Sequence, residues 1–430
     1  MDRSLFVRHA KQIVQVCARS ERQLRGKAMN ELAVLTASSD DAQGVSLVVA
    51  EDGSISDIGR DVELIAKYGD HRFGREIDAT DCCVLPGFVD AHTHPVWDGD
   101  RVHEFALKLA GATYMDIHEA GGGIAYTVKA TRRASEERLY DLLRDRLAQM
   151  TRAGTTLVEC KSGYGLDKES EMKMLRAIER ARRDARVGIS ATYCGAHSIP
   201  KGMTEEAATD DVIHVQLPEM RRMMARGELH VDNVDVFCEK GVFGVESTRR
   251  ILSAGKEIGL QINFHGDELH PMGAAELGVE LGAHAISHLE EISADGIRAM
   301  AESDSVAVLL PTTAYILRLK QPPAREMIEK GVIVALGSDF NPNAYCLSMP
   351  LVMHLACVNM RLTLAEALAA ATINAAAALG QSDKRGSIEV GKMADLVIIK
   401  APRWEHIVYQ FGCHSGVIKH VIKDGCVIVE

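Results

Sequence analysis

The chain of 430 residues has no Cys-x-x-Cys pair, and its ten cysteines stand singly apart from Cys82-Cys83. That spacing excludes a zinc ribbon and a thioredoxin-like redox site. Cys160, Cys194 and Cys238 fall inside apolar runs, so they read as buried free thiols of a reducing compartment. Aromatic residues are sparse at 5%, and the formal net charge is −11. A nucleic-acid binder needs a basic footprint and stacking platforms, so no nucleic-acid partner is expected. Long apolar runs are missing too. The longest uncharged stretch, Phe340 to Met360, holds three Asn, two Pro and a His, which is not a membrane span. Met1-Asp2-Arg3 carries charge where a signal peptide has its apolar core, and a cytoplasmic protein is expected.

What is present is a long alternation of strand and helix patterns. Candidate strands are Val84–His92, Thr155–Cys160, Ile189–Gly195, Val234–Cys238, Gln261–His265, His284–His288, Val306–Leu310 and Val332–Gly337. Helical patterns lie between them: Glu136–Arg152, Lys168–Arg183, Glu205–Ala225, Glu246–Gly259, Gly273–Leu281, Asp295–Ala301 and Ala324–Lys330, with an Ala-rich Leu364–Leu379 at the end. Eight such pairs predict an α/β fold, a (β/α)8 TIM-like barrel. A doubly wound sheet is the competitor, but the glycine fingerprint after its first strand is absent. The flanks read as short strands and turns. Asp52-Gly53 and Asp424-Gly425 sit between apolar strands as hairpin turns, and Ile55, Ile58, Val62 and Ile65 weakly continue the strand pattern after the first. From these flanks a small β-sandwich domain built from both chain ends is expected. The expected division is residues 1–83 and 385–430 for that domain, with the barrel at 84–384.

In a barrel, chemistry gathers where the strands end. The first strand ends in His92-Thr93-His94. A period of two puts both imidazoles on one side, where they suit a divalent metal. The plainer alternative is two histidines bonded to backbone. The other strand ends are polar as well: Glu159-Cys160-Lys161-Ser162-Gly163-Tyr164-Gly165, Gly195-Ala196-His197, Cys238-Glu239, His265-Gly266-Asp267-Glu268, Ser287-His288-Leu289-Glu290, Thr312-Thr313 and Ser338-Asp339-Phe340-Asn341-Pro342-Asn343.

This pattern resembles the amidohydrolase superfamily: His-x-His on strand one, His on strands five and six, Asp on strand eight. Longer blocks resemble the imidazolonepropionase family within it. They are Pro86 to His94, Ala120-Gly121-Gly122-Gly123-Ile124, Lys161 to Leu166, Gly195-Ala196-His197, Phe264 to Glu268 and Gly337 to Pro342. The resemblance implies a mononuclear site holding one divalent or trivalent metal ion, zinc or iron, on His92, His94, His265 and Asp339. Three imidazoles and a carboxylate suit a borderline Lewis acid. Lys161 is not counted as a ligand, because the resembled family is mononuclear.

The implied reaction is hydrolysis of 4-imidazolone-5-propanoate to N-formimino-L-glutamate in histidine degradation, by a metal-bound hydroxide attacking the ring carbonyl. Asp339 is expected to orient the water and take its proton. Glu268 is expected to contact the ring and pass a proton to the leaving nitrogen, and His288 to hydrogen-bond the water or the developing oxyanion. Arg101 matches the binder of the substrate's carboxylate. Tyr164 and His197 match substrate-contacting positions, and Asn341 and Asn343, just after Asp339, are expected to reach the substrate or product from the strand-eight loop. The partner is thus a small molecule carrying a carboxylate, and by resemblance the enzyme is a homodimer.

Plainer roles stand beside these. His197 and His288 suit structural histidines, Arg101 a surface pair with Glu104, Tyr164 an aromatic plug, and Asn341 and Asn343 a turn. His103, His118, His230, His270, His284, His354 and His414 are read as structural. Two rival functions remain open: a base deaminase on the same cage, and a non-catalytic barrel. A carboxylate clamp argues against the first, and a complete ligand set against the second.

Overall fold

The computed structural model describes residues 4–37, 44–111, 122–184 and 186–430. His118 and Gly121 of the expected glycine loop lie outside them. Eight parallel strands form a sheet in sequence order: β1 Phe88–Asp90, β2 Thr155–Lys161, β3 Gly188–Ala196, β4 Asn233–Cys238, β5 Gln261–Gly266, β6 Ala285–His288, β7 Val306–Leu309 and β8 Ile333–Leu336. The sheet curls until its two edges meet just beyond β1 and β8. There the Asp339 N–H donates to the His92 carbonyl at 2.9 Å, and the His94 N–H donates to the Phe340 carbonyl at 2.8 Å. A side-chain clasp reinforces this seam. Asp90 accepts from the Ser338 N–H at 2.8 Å and from the Ser338 hydroxyl. The result is the expected (β/α)8 barrel.

The barrel interior is filled by Val89, Leu157, Val306, Val308, Ile333 and Ala335. Its N-terminal end is closed by the Ala-rich helix Ile373–Ala378, whose Ala375 and Ala376 pack against those residues. Alanines suit this contact because small side chains let the helix approach the strand ends closely. Outer helices bury one apolar stripe each. Glu136–Arg152, for example, buries Leu139, Leu143, Leu147 and Met150 and begins at a Ser135 cap.

Both chain ends build the second layer. A four-stranded sheet takes Leu5–Ala10, Val45–Val49, Ile55–Arg60 and Arg75–Asp78. A six-stranded sheet interleaves Gln12–Val16, Ala33–Thr36 and Cys83–Pro86 with Leu396–Ile399, Ile418–Lys423 and Cys426–Val429. Side chains of both sheets share one core, including Leu5, Val7, Val45, Val84, Leu396 and Ile422. Both Asp-Gly hairpins form as expected.

Four expectations need correction. The single strand Val84–His92 is two: Cys83–Pro86 joins the small domain, and Phe88–Asp90 the barrel. Gly87 makes the turn between them, because a Cβ there would overlap the Thr156 side chain. Val62 and Ile65 lie on a helix, Asp61–Tyr68, and do not prolong the strand before it. Leu364–Leu379 breaks into Leu364–Ala370 and Ile373–Ala378, because Thr372 leaves helical geometry at φ −131° and ψ −94°. Helices Pro311–Leu317 and Met349–Met360 have no counterpart in the sequence reading; the second is apolar on most faces, so no helical stripe stands out. No helix among the described residues is long and apolar enough to cross a membrane.

Replacing Asp90 by Ala strands two buried Ser338 donors at the seam. The expected loss is about 3 kcal/mol in urea unfolding, and an unchanged midpoint would show that the clasp is dispensable.

Candidate metal centre and pocket

His92 and His94 leave β1 on the same side, while the hydroxyl of Thr93 between them turns to the Glu159 carbonyl of β2. His265 stands near the end of β5 and Asp339 just past β8. All four side chains are buried. The Asp339 Oδ1 lies 3.6 Å from His92 Nε2 and 3.7 Å from His94 Nε2. His94 Nε2 and His265 Nε2 face each other at 3.1 Å. Donors at 2.0–2.1 Å from a tetrahedral zinc would be roughly 3.3 Å apart, so the spacing matches.

The orientation of each donor is explained by what holds its far side. His265 Nδ1 lies 2.8 Å from Asp235 Oδ1; a carboxylate accepts, so Nδ1 carries the proton and Nε2 presents its lone pair to the cage. His92 Nδ1 is 2.8 Å from the Ser287 hydroxyl, and its buried Nε2 has no hydrogen-bond partner among the described residues. His94 is oriented by stacking on His197, with ring centroids 4.5 Å apart at 11°. On Asp339, whose φ is 45°, the Thr313 hydroxyl takes Oδ2 and leaves Oδ1 to the histidines. Burial holds the pKa of His92, His94 and His265 well below the usual imidazole value. Three neutral imidazoles, with the lone pair of His265 turned inward, and one carboxylate are a donor set that fits a divalent metal.

Lys161 ends β2 but points elsewhere. Its ammonium donates to Glu159 Oε1 at 2.8 Å and to Asp235 Oδ2 at 2.6 Å, with all three side chains buried. Burial works against the charge, but Asp235 and Glu159 outweigh it and keep the amine protonated.

The other expected site residues surround the cage. Arg101, Tyr164, His197, Glu268, His288, Asn341 and Asn343 line one pocket with His94, His265 and Asp339. His288 Nε2 is 3.5 Å from Glu268 Oε2, and its Nδ1 is 3.7 Å from Glu290 Oε2. Burial disfavours a charged His288, yet Glu268, Glu290 and Asp339 raise it to about 10. One imidazolium cannot neutralise three buried carboxylates, so Glu268 is pushed up to about 8, mainly by burial. His197 Nδ1 donates to the Gly163 carbonyl at 3.0 Å, and burial lowers the pKa of His197 to about 4. The Tyr164 ring lies 5.3 Å from that of His197. Asn341 also serves as a turn residue: Oδ1 accepts from the Asn343 N–H at 2.7 Å, and Nδ2 donates to the Asp339 carbonyl at 2.7 Å.

Arg101 does pair with Glu104, at 2.7 and 2.8 Å, but the pair is buried and not on an exposed turn. Glu104 also accepts the Gly123 N–H at 2.8 Å, which ties the glycine loop to the pocket.

Asp235 and Glu171 escaped sequence reading, while Ser287, Glu290 and Glu104 were noted there without a role in shaping the site. Glu171 accepts the backbone N–H groups of Gly163, Gly165 and Leu166 at 3.0, 2.7 and 2.7 Å, and so shapes the loop that carries Tyr164. Asp235 had a signal: a lone acid in the apolar run Val234 to Cys238. Glu171 had none, since its helix is rich in acids.

Comparison with known proteins gives the family. The model of the amidohydrolase family matches residues 83–428. The chain belongs to the amidohydrolase family. It is 64% identical over 426 residues to the "Probable imidazolonepropionase" of Bos taurus, covering 99% of this chain and 98% of that one. The protein of the same name in Homo sapiens is 64% identical over 427 residues, covering 99% of each. That of Dictyostelium discoideum is 53% identical over 425 residues, covering 99% of this chain and 97% of that one. Among solved structures, an adenosine deaminase from Xanthomonas campestris with bound zinc superposes with a TM-score of 0.72 at 19% identity, over 99% of this chain and 92% of that one. Atrazine chlorohydrolase from Arthrobacter aurescens, complexed with zinc, gives 0.73 at 15%, over 99% and 95%. At such identities these two share the fold of this amidohydrolase.

Asp235→Asn removes the acceptor that sets the His265 tautomer. Zinc affinity, read by competition with a chromogenic chelator, is expected to fall about 10–100-fold while the circular dichroism spectrum is retained. Unchanged affinity would contradict the orienting role of Asp235.

Proposed function

We propose that this amidohydrolase hydrolyses 4-imidazolone-5-propanoate to N-formimino-L-glutamate, a step of histidine degradation, with one zinc or iron ion per subunit on His92, His94, His265 and Asp339. The observation that carries the reading is the single pocket that joins this cage to a buried guanidinium, Arg101. A neutral base offers no carboxylate for such a clamp. The name shared by full-length relatives supports the same substrate.

The metal, when bound, supplies Lewis acidity and lowers the pKa of a water towards about 7. The chain's own groups divide the rest. Asp339 Oδ1 orients the water and accepts its proton, since Oδ2 is engaged by Thr313. Attack at the ring carbonyl breaks the adjacent C–N bond, and the water oxygen ends on the new carboxylate. The leaving ring nitrogen takes a proton from Glu268, whose burial keeps it protonated into the neutral range. His288, charged between carboxylates, donates to the developing oxyanion. Arg101 binds the propanoate through the guanidinium edge that Glu104 does not occupy. Tyr164 and His197 pack on the ring, and Asn341 and Asn343 contact substrate from the loop after β8. The same reading carries a homodimer in the cytoplasm without nucleic-acid or membrane partners, in keeping with a net charge of −11.

Metal analysis paired with turnover tests the reading. The purified protein is expected to hold one equivalent of metal and to bleach the imidazolone without releasing ammonia. Chelation should abolish turnover, and zinc or iron should restore it. Ammonia release would favour a deaminase, and a metal-free, inert protein a non-catalytic barrel. Arg101→Ala is expected to lower kcat/KM about 10–100-fold, mainly through KM. An unchanged kcat/KM would remove Arg101 from the substrate site.

A further inference from the structure

We propose that Lys108 is a second cation at the carboxylate end of the pocket, sharing the substrate's carboxylate with Arg101 and setting the preference for an anion over a neutral analogue. This rests on the substrate reading above. Arg101 precedes the helix Val102–Leu109 as its cap. Positions 101, 104 and 108 follow an i, i+3, i+7 spacing and share one face. Arg101 and Glu104 on that face are buried and Lys108 is half-buried, whereas Val102, Phe105, Leu107 and Leu109 are exposed.

Charge on this face is unbalanced. Arg101 is already paired with Glu104, so the two together contribute no net charge. Lys108 has no carboxylate partner among the described residues. Its ammonium instead donates to Asn343 Oδ1, in the loop after β8. That bond uses the oxygen of the amide and leaves its NH2 group as a donor. The ammonium keeps two further N–H groups of its own. Asn343 and Arg101 line the pocket, and Lys108 lines the adjoining cavity of about 1110 Å³. The two spaces share Ile124, His197, Phe237 and Leu317, and Lys108, on the cavity side, reaches the pocket wall through its bond to Asn343. Its surroundings penalise an unpaired charge: burial, and then the Arg101 charge, lower its pKa to about 8. An incoming carboxylate relieves both costs.

The test is binding of 3-(imidazol-4-yl)propanoate and of its methyl ester to the metal-loaded protein by calorimetry. Wild type is expected to prefer the acid. Lys108→Met and Lys108→Gln should each weaken the acid about tenfold and leave the ester unaltered, while Lys108→Arg stays within about threefold of wild type for the acid. Equal loss for acid and ester would mean that Lys108 only positions Asn343, and would overturn the proposal. So would an unaltered acid-to-ester ratio in the neutral variants, or no preference in wild type. Turnover of the imidazolone by wild type is measured in parallel. Its absence would refute the substrate reading, while the acid-to-ester ratio still decides the role of Lys108.

Discussion

The seam between the first and last barrel strands is the constraint on which the site depends. Two backbone hydrogen bonds, Asp339 to His92 and His94 to Phe340, are made by the candidate ligand residues themselves or their immediate neighbour. Closing the barrel and bringing Asp339 within 3.6–3.7 Å of two imidazoles are therefore one event. Asp90, buried one turn of the pleat below His92, clasps Ser338 and fixes the register of this closure. A slip of one residue would send His92 and His94 to the other face.

Around the seam the site separates two electrostatic tasks. On one side, burial keeps three imidazoles neutral, Asp235 turns the lone pair of His265 inward, and Ser287 holds the far side of the His92 ring. Lys161 pairs with both Asp235 and Glu159, so its one ammonium offsets part of the negative charge of this acid support. On the other side, His288 sits among three carboxylates that cannot all ionise. Protons are thus retained beside the cage, where a ring nitrogen would need one. The two tasks share Asp339, which faces both groups.

Strand ends were legible because a buried strand that ends in polar residues is a strong pattern. Seven barrel strands, β2 to β8, lie within a residue of the expected bounds. Val84–His92 misled because an unbroken apolar run looks the same whether it serves one sheet or two. Only the approach of Thr156 to Gly87 divides it. The helix Met349–Met360 went unread for a related reason, since apolar residues on its outer face as well as its buried one, such as the exposed Val358, erase the period of 3.6. Glu104 was weighed as a partner of Arg101, yet its burial and its bond to Gly123 depend on how the helix packs.

The order of residues alone determined the barrel, the two-ended β domain, the candidate ligands and the ring of polar groups near them. These follow from local periodicity and from which residue types stand at strand ends, and both are written along the chain. Tertiary structure decided the tautomer of His265, the shared protons of Glu268 and His288, the burial of the Arg101–Glu104 pair and the meeting of Lys108 with Asn343. Each of these depends on distance and desolvation between segments up to 235 residues apart, and neither quantity has a signature in sequence spacing.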